Sequence, residues 1–196
     1  MIKIIHPKDH DFYKAKIEAL LDLFKVYQKI DLLPEERSTT TFMIAEDRKR
    51  GIYGGALLTQ EYLGDLEDRV GKTIAALSLN KRRVWVARIC FCIEEREPFS
   101  ALEQIDLCEN FYDDLYRRFI KLGAQEKTRF LVLTLHPTDF FRTKTYGHWP
   151  YLLEVQPNEA RNKLFHGILP LKPEKHALYK STWSTIQRLR QFRRRR

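Results

Sequence analysis

The chain has 196 residues, of which 43% are hydrophobic and 31% are charged, and its formal net charge is +9. This composition is typical of a globular domain, and no apolar run approaches the ~18 residues that a membrane-spanning helix needs. Six arginines lie in the last nine residues, RLRQFRRRR, so residues 1–187 carry only +3. A nucleic-acid-binding domain usually spreads its basic residues over one face, so this pattern indicates a mildly basic body with a basic tail.

The N-terminal segment, MIKIIHPKDHD, lacks the apolar stretch and the small-residue cleavage site of a signal peptide. We therefore expect a cytoplasmic protein with one domain at 1–180 and a basic tail at 181–196. Cys90, Cys92 and Cys108 are expected to be buried thiols, because same-face neighbours on one strand are poor disulfide partners. No metal site is predicted from them.

Hydrophobic periodicity predicts elements in the order β-α-β-β-β-α-β-α-β-β. The predicted strands are 1–5, 41–47, 51–59, 84–93, 129–135, 151–155 and 164–171, and the predicted helices are 12–30, 102–122 and 138–145. Residues 32–41 are predicted to be a polar loop and residues 60–80 an irregular connection. This order predicts an α/β fold, a three-layer α/β/α sandwich around a mixed central sheet.

Three finer features follow from the pattern. Gly54 and Gly55 inside a strand predict a bulge or a close backbone approach. Gly123 is predicted to cap the second helix at its C-terminus. The predicted core face of the first helix is Phe12, Ala15, Leu20, Leu23, Phe24 and Tyr27, and that of the second is Ile105, Cys108, Phe111, Tyr112, Leu115, Phe119 and Leu122.

Four stretches resemble motifs of one enzyme superfamily, in the same order and at compatible spacings. They are GIYGGALLT, EYLGDLEDRVG with RRVWVARICF, KLGAQEKTRFLVLTL and RTKTYGHWPYLLEVQP. They resemble the GNAT acyltransferases, and most of all the acyl-homoserine-lactone synthase and long-chain N-acyl amino acid synthase branch. The resemblance spans about residues 1–175 and implies a GNAT-type fold that moves an acyl group from a carrier thioester to an amine.

The resemblance also implies substrates. The donor would be acyl carrier protein or coenzyme A in thioester linkage, and the acceptor a small-molecule amine. Of the charged set with which the branch binds S-adenosylmethionine and aligns acyl carrier protein, Arg88 alone has a counterpart here. Leu57 stands where the family has Arg, Trp85 replaces its Glu and Ala87 its Ser, so S-adenosylmethionine is the less favoured acceptor.

Arg88 is a predicted catalytic residue, since a guanidinium between apolar neighbours could orient a carboxylate or carbonyl of the substrate. The structural alternative is an ion pair, with Glu46 or Asp47 on a neighbouring strand, because a buried charge must be paired.

Glu94 and Glu95, at the end of the same strand, are predicted to accept a proton from the amine. Tyr146 is predicted to protonate the departing thiolate, in place of the tyrosine that ordinary GNAT enzymes keep where Thr143 stands here. The structural alternatives are two solvated charges and an aromatic corner.

Four residues are predicted to contact substrate along the two central strands and the aromatic segment after them. They are Trp85, Phe91, Thr134 and Trp149. The alternatives are a β-favouring residue at Thr134 and core packing at Trp149.

The C-terminal segment STWSTIQRLRQFRRRR could rest on anionic lipid, dock on acidic acyl carrier protein, or contact nucleic acid through 188–196. A disordered solubilising tail is the structural alternative. Two other functions therefore remain open: a catalytically inactive binding or regulatory module of GNAT type, and a nucleic-acid-associated protein.

Overall fold

The computed structural model describes residues 2–48, 51–62, 83–91, 101–126, 128, 130–145, 149, 153–155 and 165–171. Its helices are α1 (Lys14–Gln28), α2 (Pro34–Thr39), α3 (Ala101–Gln125) and α4 (Pro137–Thr145), with a 3-10 turn at Pro7–Asp9. Its strands are β1 (Ile2–Ile5), β2 (Thr41–Asp47), β3 (Gly51–Tyr62), β4 (Arg83–Phe91), β5 (Phe130–Leu135), β6 (Leu153–Val155) and β7 (Phe165–Pro170). None of the helices in this part of the chain combines the length and the apolarity that crossing a membrane requires.

The described strands form one sheet in the order β1-β2-β3-β4-β5-β7-β6. β4 and β5 run parallel, and the other neighbouring pairs run antiparallel. A parallel pair needs a long crossover connection, and α3 lies in the segment that joins β4 to β5. The sheet is therefore mixed, as the sequence predicted.

Helices cover the two faces of this sheet. On one face, Leu20 and Phe24 of α1 pack in a cluster with Phe42 and Leu57 of the sheet. On the other face, α3 forms a cluster with alternate residues of β3, β4 and β5; it includes Phe111, Tyr112, Leu115, Phe119, Ala56, Leu58, Ala87, Ile89, Leu131 and Leu133. Side chains of a strand alternate between the two faces of the sheet, so neighbouring residues of one strand belong to different clusters. In β3, Ala56 and Leu58 belong to the α3-side cluster and Leu57 to the α1-side cluster. The predicted three-layer α/β/α sandwich is confirmed.

The two glycines in β3 allow a close backbone approach, as predicted. A Cβ at Gly55 would lie 2.1 Å from the carbonyl oxygen of Met43 on β2 and 2.8 Å from Leu20 Cδ1 on α1. A Cβ at Gly54 would lie 2.7 Å from the carbonyl oxygen of Cys90. The register between β2 and β3 shifts just beyond this point, between Ala45 and Glu46. Both glycines are therefore needed for the spacing of the central strands and for the docking of α1.

Two local predictions are wrong. Part of the segment predicted to be a loop is α2, which starts at Pro34 and whose Glu36 side chain accepts from the Leu33 backbone N–H at 2.9 Å. Proline fits the first turn of a helix, and glutamate at the third position bonds the N-cap. Gly123 is not a cap, because α3 continues to Gln125; its missing side chain leaves room for Leu171.

Candidate functional site

The pairing between β4 and β5 stops before β4 does. Within the described ranges, the parallel register runs from Val86 opposite Val132 to Ile89 opposite Leu135. β4 continues to Phe91, while the chain after β5 enters α4 at Pro137. β4 therefore extends two residues beyond its last partner on β5, whose chain leaves the sheet for α4, and this is the place where the two strands part.

Two side chains bond the carbonyl groups at the end of β4. Gln28 Nε2 lies 2.6 Å from the carbonyl oxygen of Ile89, and Arg142 Nη1 lies 3.1 Å from that of Phe91. Gln28 is the last residue of α1, which ends there because Lys29 takes the left-handed conformation at φ 57°. Side chains of α1 and α4 thus meet where β4 ends.

Asp139 contacts both of these side chains and is almost fully buried, with 4% of its surface exposed. Its Oδ2 accepts from Gln28 Nε2 at 3.0 Å, and its Oδ1 accepts from the Tyr112 hydroxyl at 3.0 Å. Arg142 Nη1 lies 3.9 Å from Oδ1. A buried carboxylate is costly unless it is hydrogen-bonded, and these donors meet that requirement. We refer to Gln28, Tyr112, Asp139 and Arg142 as the Asp139 cluster.

The local sequence explains why Asp139 points inward. Pro137 begins α4, a position that suits its fixed φ, and Asp139 follows in the first turn. Asp139, Phe140 and Thr143 form the buried face of this short helix, and the Thr143 hydroxyl donates to the Asp139 carbonyl at 2.6 Å. Phe140 packs against Phe165 of β7 with ring centroids 4.4 Å apart, which fixes the face that α4 turns toward the sheet.

Burial gives the cluster unusual protonation behaviour. Desolvation raises the pKa of Asp139 to about 6, although hydrogen bonds from Tyr112 and the charge of Arg142 oppose the shift. Burial, together with the charge of Asp139, raises the pKa of Tyr112 well above its ordinary value. Burial likewise raises the pKa of nearby Cys108 to about 11. A carboxyl group that titrates close to neutral pH therefore lies beside a hydroxyl and a thiol that stay protonated.

We expect Asp139→Asn to change how stability depends on pH. The folded-state pKa of Asp139, about 6, exceeds its ordinary 3.8, so its contribution to stability is fully present below the lower value and is lost as the pH rises through the higher one. From pH 5 to pH 8 this loss amounts to about 1 kcal/mol. In urea unfolding, the free energy of the wild type minus that of the variant should therefore be larger at pH 5 than at pH 8.

The exposed residue Asp106 on α3 supplies the control for this measurement. Asp106→Asn should leave the pH dependence of the unfolding free energy as it is in the wild type. An Asp139→Asn variant whose difference from the wild type is the same at both pH values would show that Asp139 does not titrate in this range.

Arg88 forms an ion pair with Glu61 of β3 rather than with Glu46 or Asp47. Its Nη2 lies 3.3 Å from Glu61 Oε1, and the two side chains are 15% and 18% exposed. The register explains the choice, because Arg88 lies opposite Leu57, so that Glu61 follows on the same face four residues along β3. Glu46 instead pairs with Lys16 of α1.

Of the predicted substrate-contacting residues, Thr134 lies on the Arg88 face of the sheet and Trp85 on the opposite face. Thr134 is 4% exposed and lies opposite Arg88 in the register of β5, so both belong to the same face of the sheet. Trp85 is partly buried and packs against the α3 side of the sheet. The predicted contacts of Arg88, Thr134 and Trp85 with substrate stay predictions.

Phe91 and Trp149 lie in the core on the α3 side. The Phe91 ring lies 4.9 Å from that of Phe111, and the Arg142 guanidinium carbon lies 5.4 Å from its centroid, which places Phe91 beside the Asp139 cluster. The Trp149 indole N–H donates to the Tyr112 carbonyl at 3.1 Å. Packing accounts for the position of Trp149, and its contact with substrate stays a prediction.

The remaining predicted residues, Glu94, Glu95 and Tyr146, lie outside the described residues, as does the basic tail. Cys92 lies outside them too, whereas Cys90 and Cys108 are buried thiols, as expected.

Sequence reasoning missed the whole Asp139 cluster. Asp139 and Thr143 lie four residues apart, which in a short helix is the pattern of an exposed polar face. Gln28 ends a helix whose outer face is polar, and Tyr112 was assigned to the core for its ring. One signal was available: Pro137 with an acid two residues later marks a helix start directly after a buried strand.

No model of a known protein family matches the chain, and no curated protein sequence matches it. Solved structures do match its fold. MesI, a CoA-dependent acyl-homoserine lactone synthase, has a TM-score of 0.51 at 13% identity over 94% of this chain and 95% of its own. LasI, an acyl-homoserine lactone synthase, has 0.54 at 10% identity over 88% and 90%. BjaI, a CoA-dependent acyl-homoserine lactone synthase solved with MTA, has 0.51 at 10% identity over 94% and 89%.

The chain therefore has the fold of the acyl-homoserine lactone synthases over most of its length. The resemblance that the sequence motifs indicated is confirmed at the level of this fold.

Proposed function

We propose that this protein is an N-acyltransferase that moves an acyl group from a carrier thioester to an amine. The observation that carries the proposal is the Asp139 cluster at the parting of β4 and β5, in a fold shared with three acyl-homoserine lactone synthases. An acyl transfer to nitrogen needs a thioester carbonyl, a neutral amine beside it and a group that takes up a proton. The cluster supplies a buried ionisable group at one defined place in the sheet.

Residues earlier along β4 and β5 would divide the remaining tasks. Val86 and Val132 are apolar and lie opposite each other on the Arg88 face, so an acyl chain would follow the β4–β5 pair past these two side chains. Arg88 would orient a polar end of one substrate while Glu61 holds its guanidinium. The donor would be acyl carrier protein or coenzyme A; the relative BjaI has been solved with SAM and isopentyl-CoA.

Expression in a bacterial host followed by untargeted mass spectrometry tests the proposal. Cells that express the wild type should contain N-acylated amines that cells with an empty vector lack. Arg88→Ala should reduce these products at least about tenfold, because a charged hydrogen bond to the substrate contributes ~1.5–3 kcal/mol. Arg118→Ala provides a matched control, since Arg118 makes an i,i+4 pair with Asp114 on α3.

The outcomes separate two claims. If wild type and Arg88→Ala give the same products in the same amounts, Arg88 has no role while acyl transfer stands. If the wild type adds no N-acyl product to those of the empty vector, acyl transfer itself is refuted.

A second candidate function is a binding module without turnover. The observation that favours it is that Gln28, Tyr112 and Arg142 already bond both oxygens of Asp139 and two carbonyls of β4. A ligand of the native state raises its apparent stability. Thermal unfolding with S-adenosylmethionine, acetyl-CoA or acyl carrier protein would then show a shift without product formation. Contact of the 188–196 tail with nucleic acid or lipid stays a prediction.

A further inference from the structure

We propose that Asp139 is the group that accepts the proton from the attacking amine, which rests on the acyl transfer proposed above. Glu94 and Glu95 were predicted for this task from the sequence, so Asp139 is a third candidate that only the fold brings forward. Its position on the first turn of α4, directly after β5, places its carboxylate where β4 and β5 part.

The first argument is geometric. One amide group, Gln28 Nε2, bridges the carboxylate of Asp139 and the carbonyl oxygen of Ile89, the last residue of β4 that pairs with β5. The carboxylate is therefore held at a fixed distance from the strand end. Each carboxylate oxygen has two lone pairs, and Oδ1 and Oδ2 each accept one of the hydrogen bonds described above. Each oxygen can thus accept one more donor, such as an amine N–H.

The second argument is electrostatic and concerns the groups that face Asp139 from each packed element of the described chain. They are Gln28 from α1, Tyr112 and Cys108 from α3, Arg142 from α4, and His136 before it. Raised pKa values keep Tyr112 and Cys108 protonated, and Arg142 keeps its charge. Asp139, with a pKa of about 6, is ionised above that pH and can accept a proton from a reacting group.

The step is balanced without any further reactant. The amine lone pair forms the N–C bond to the thioester carbonyl, and the C–S bond breaks with its electron pair on sulfur. The amine proton passes to Asp139 and then to the departing thiolate. The products are an N-acyl amide and a free thiol, and Asp139 returns to its ionised form.

The test measures thiol release from octanoyl-CoA and from octanoyl acyl carrier protein, with a mixture of the amino acids other than cysteine and S-adenosylmethionine as acceptors, from pH 5 to pH 9. The wild-type kcat should fall below about pH 6 as Asp139 becomes protonated. Asp139→Asn should lower kcat about 100-fold with little change in KM. The fall of kcat at low pH, which is the acid limb of the pH profile, should disappear in this variant. Asp106→Asn, on an exposed position of α3, should behave as wild type.

Tyr112→Phe keeps the proposal testable if Asp139→Asn does not fold. The Tyr112 hydroxyl bond lowers the pKa of Asp139, so its removal should move the acid limb to higher pH. A structural role alone would lower activity equally at every pH. Glu94→Gln and Glu95→Gln test the sequence-predicted candidates in the same assay.

Each outcome of this test either supports the proposal about Asp139 or contradicts it. Loss of the limb in Asp139→Asn or its upward shift in Tyr112→Phe supports the proposal. An unmoved limb in both variants, or a limb removed by Glu94→Gln or Glu95→Gln, overturns it and leaves acyl transfer standing. Absence of thiol release by the wild type from either donor overturns this proposal, while acyl transfer itself is decided by the search for N-acyl products described above.

Discussion

Gly55→Ala is expected to destabilise the protein by about 3 kcal/mol or more, a large fraction of the ~5–15 kcal/mol by which a folded domain is ordinarily stable. The added Cβ would lie 2.1 Å from the Met43 carbonyl oxygen and 2.8 Å from Leu20 Cδ1. The first contact is with backbone, which cannot rotate away as a side chain can. β3 lies between β2 and β4, so a shift away from one neighbour strains the other.

Gly123→Ala is the matched control for this prediction. Its Cβ would meet Leu171 Cδ1 at 2.5 Å, the end of a side chain that can move, while Leu171 Cβ lies at 3.0 Å and the nearest backbone atom, the Thr128 carbonyl oxygen, at 3.2 Å. Alanine inside a helix is also more favourable than glycine by ~1 kcal/mol, which offsets the crowding. Chemical denaturation of both variants measures the contrast. Equal unfolding free energies for Gly55→Ala and Gly123→Ala would show that the β2–β3 spacing is not the constraint inferred here.

Phe119→Ala is expected to cost about 4 kcal/mol of unfolding free energy, the usual range for deleting a buried phenyl ring. Phe119 is fully buried on the sheet side of α3, and its ring lies 6.1 Å from that of Trp149. The deletion would leave a cavity beneath the sheet that neighbouring rings cannot fill, because they already pack against one another.

Phe12→Ala removes the same side chain from a position that is 82% exposed, before α1. Its cost should stay within about 0.5 kcal/mol. Thermal unfolding of both variants checks the pair, with the melting temperature of Phe119→Ala far below that of Phe12→Ala. Similar melting temperatures would mean that α3 does not dock on the sheet through Phe119.

The contrast between Phe119 and Phe12 also shows what the sequence could predict of the helices. The α3 stripe is correct from Cys108 to Leu122, with Ile105 exposed instead of buried. Its apolar residues lie on one face only, so periodicity alone fixes the buried side.

The face of α1 was only partly predicted. Leu20 and Phe24 are buried as expected and Leu23 is partly buried, but Phe12, Ala15 and Tyr27 are exposed. Ile17 and Leu21 are buried instead. Apolar residues occur around much of this helix, so several faces were compatible with the pattern. The docking of α1 on β3 at Gly55, where Leu20 approaches the backbone, determines which face of α1 is buried.

The candidate site was likewise only partly predictable from the sequence. The sequence marked Arg88 as a charged residue within an apolar strand that needs a partner, and the structure supplies one. It could not name Glu61, because that depends on the register between β3 and β4.

The sequence by itself therefore determined the order of strands and helices, the mixed α/β/α fold and the resemblance to the acyl-homoserine lactone synthases. These follow from periodicity and from short motifs, which are local in the chain. The tertiary structure alone decided which polar residues meet. Gln28, Tyr112 and Asp139 come from three different helices, separated by 111 residues between Gln28 and Asp139 and 27 between Tyr112 and Asp139. Their contact exists because α1, α3 and α4 all pack around the place where β4 and β5 part.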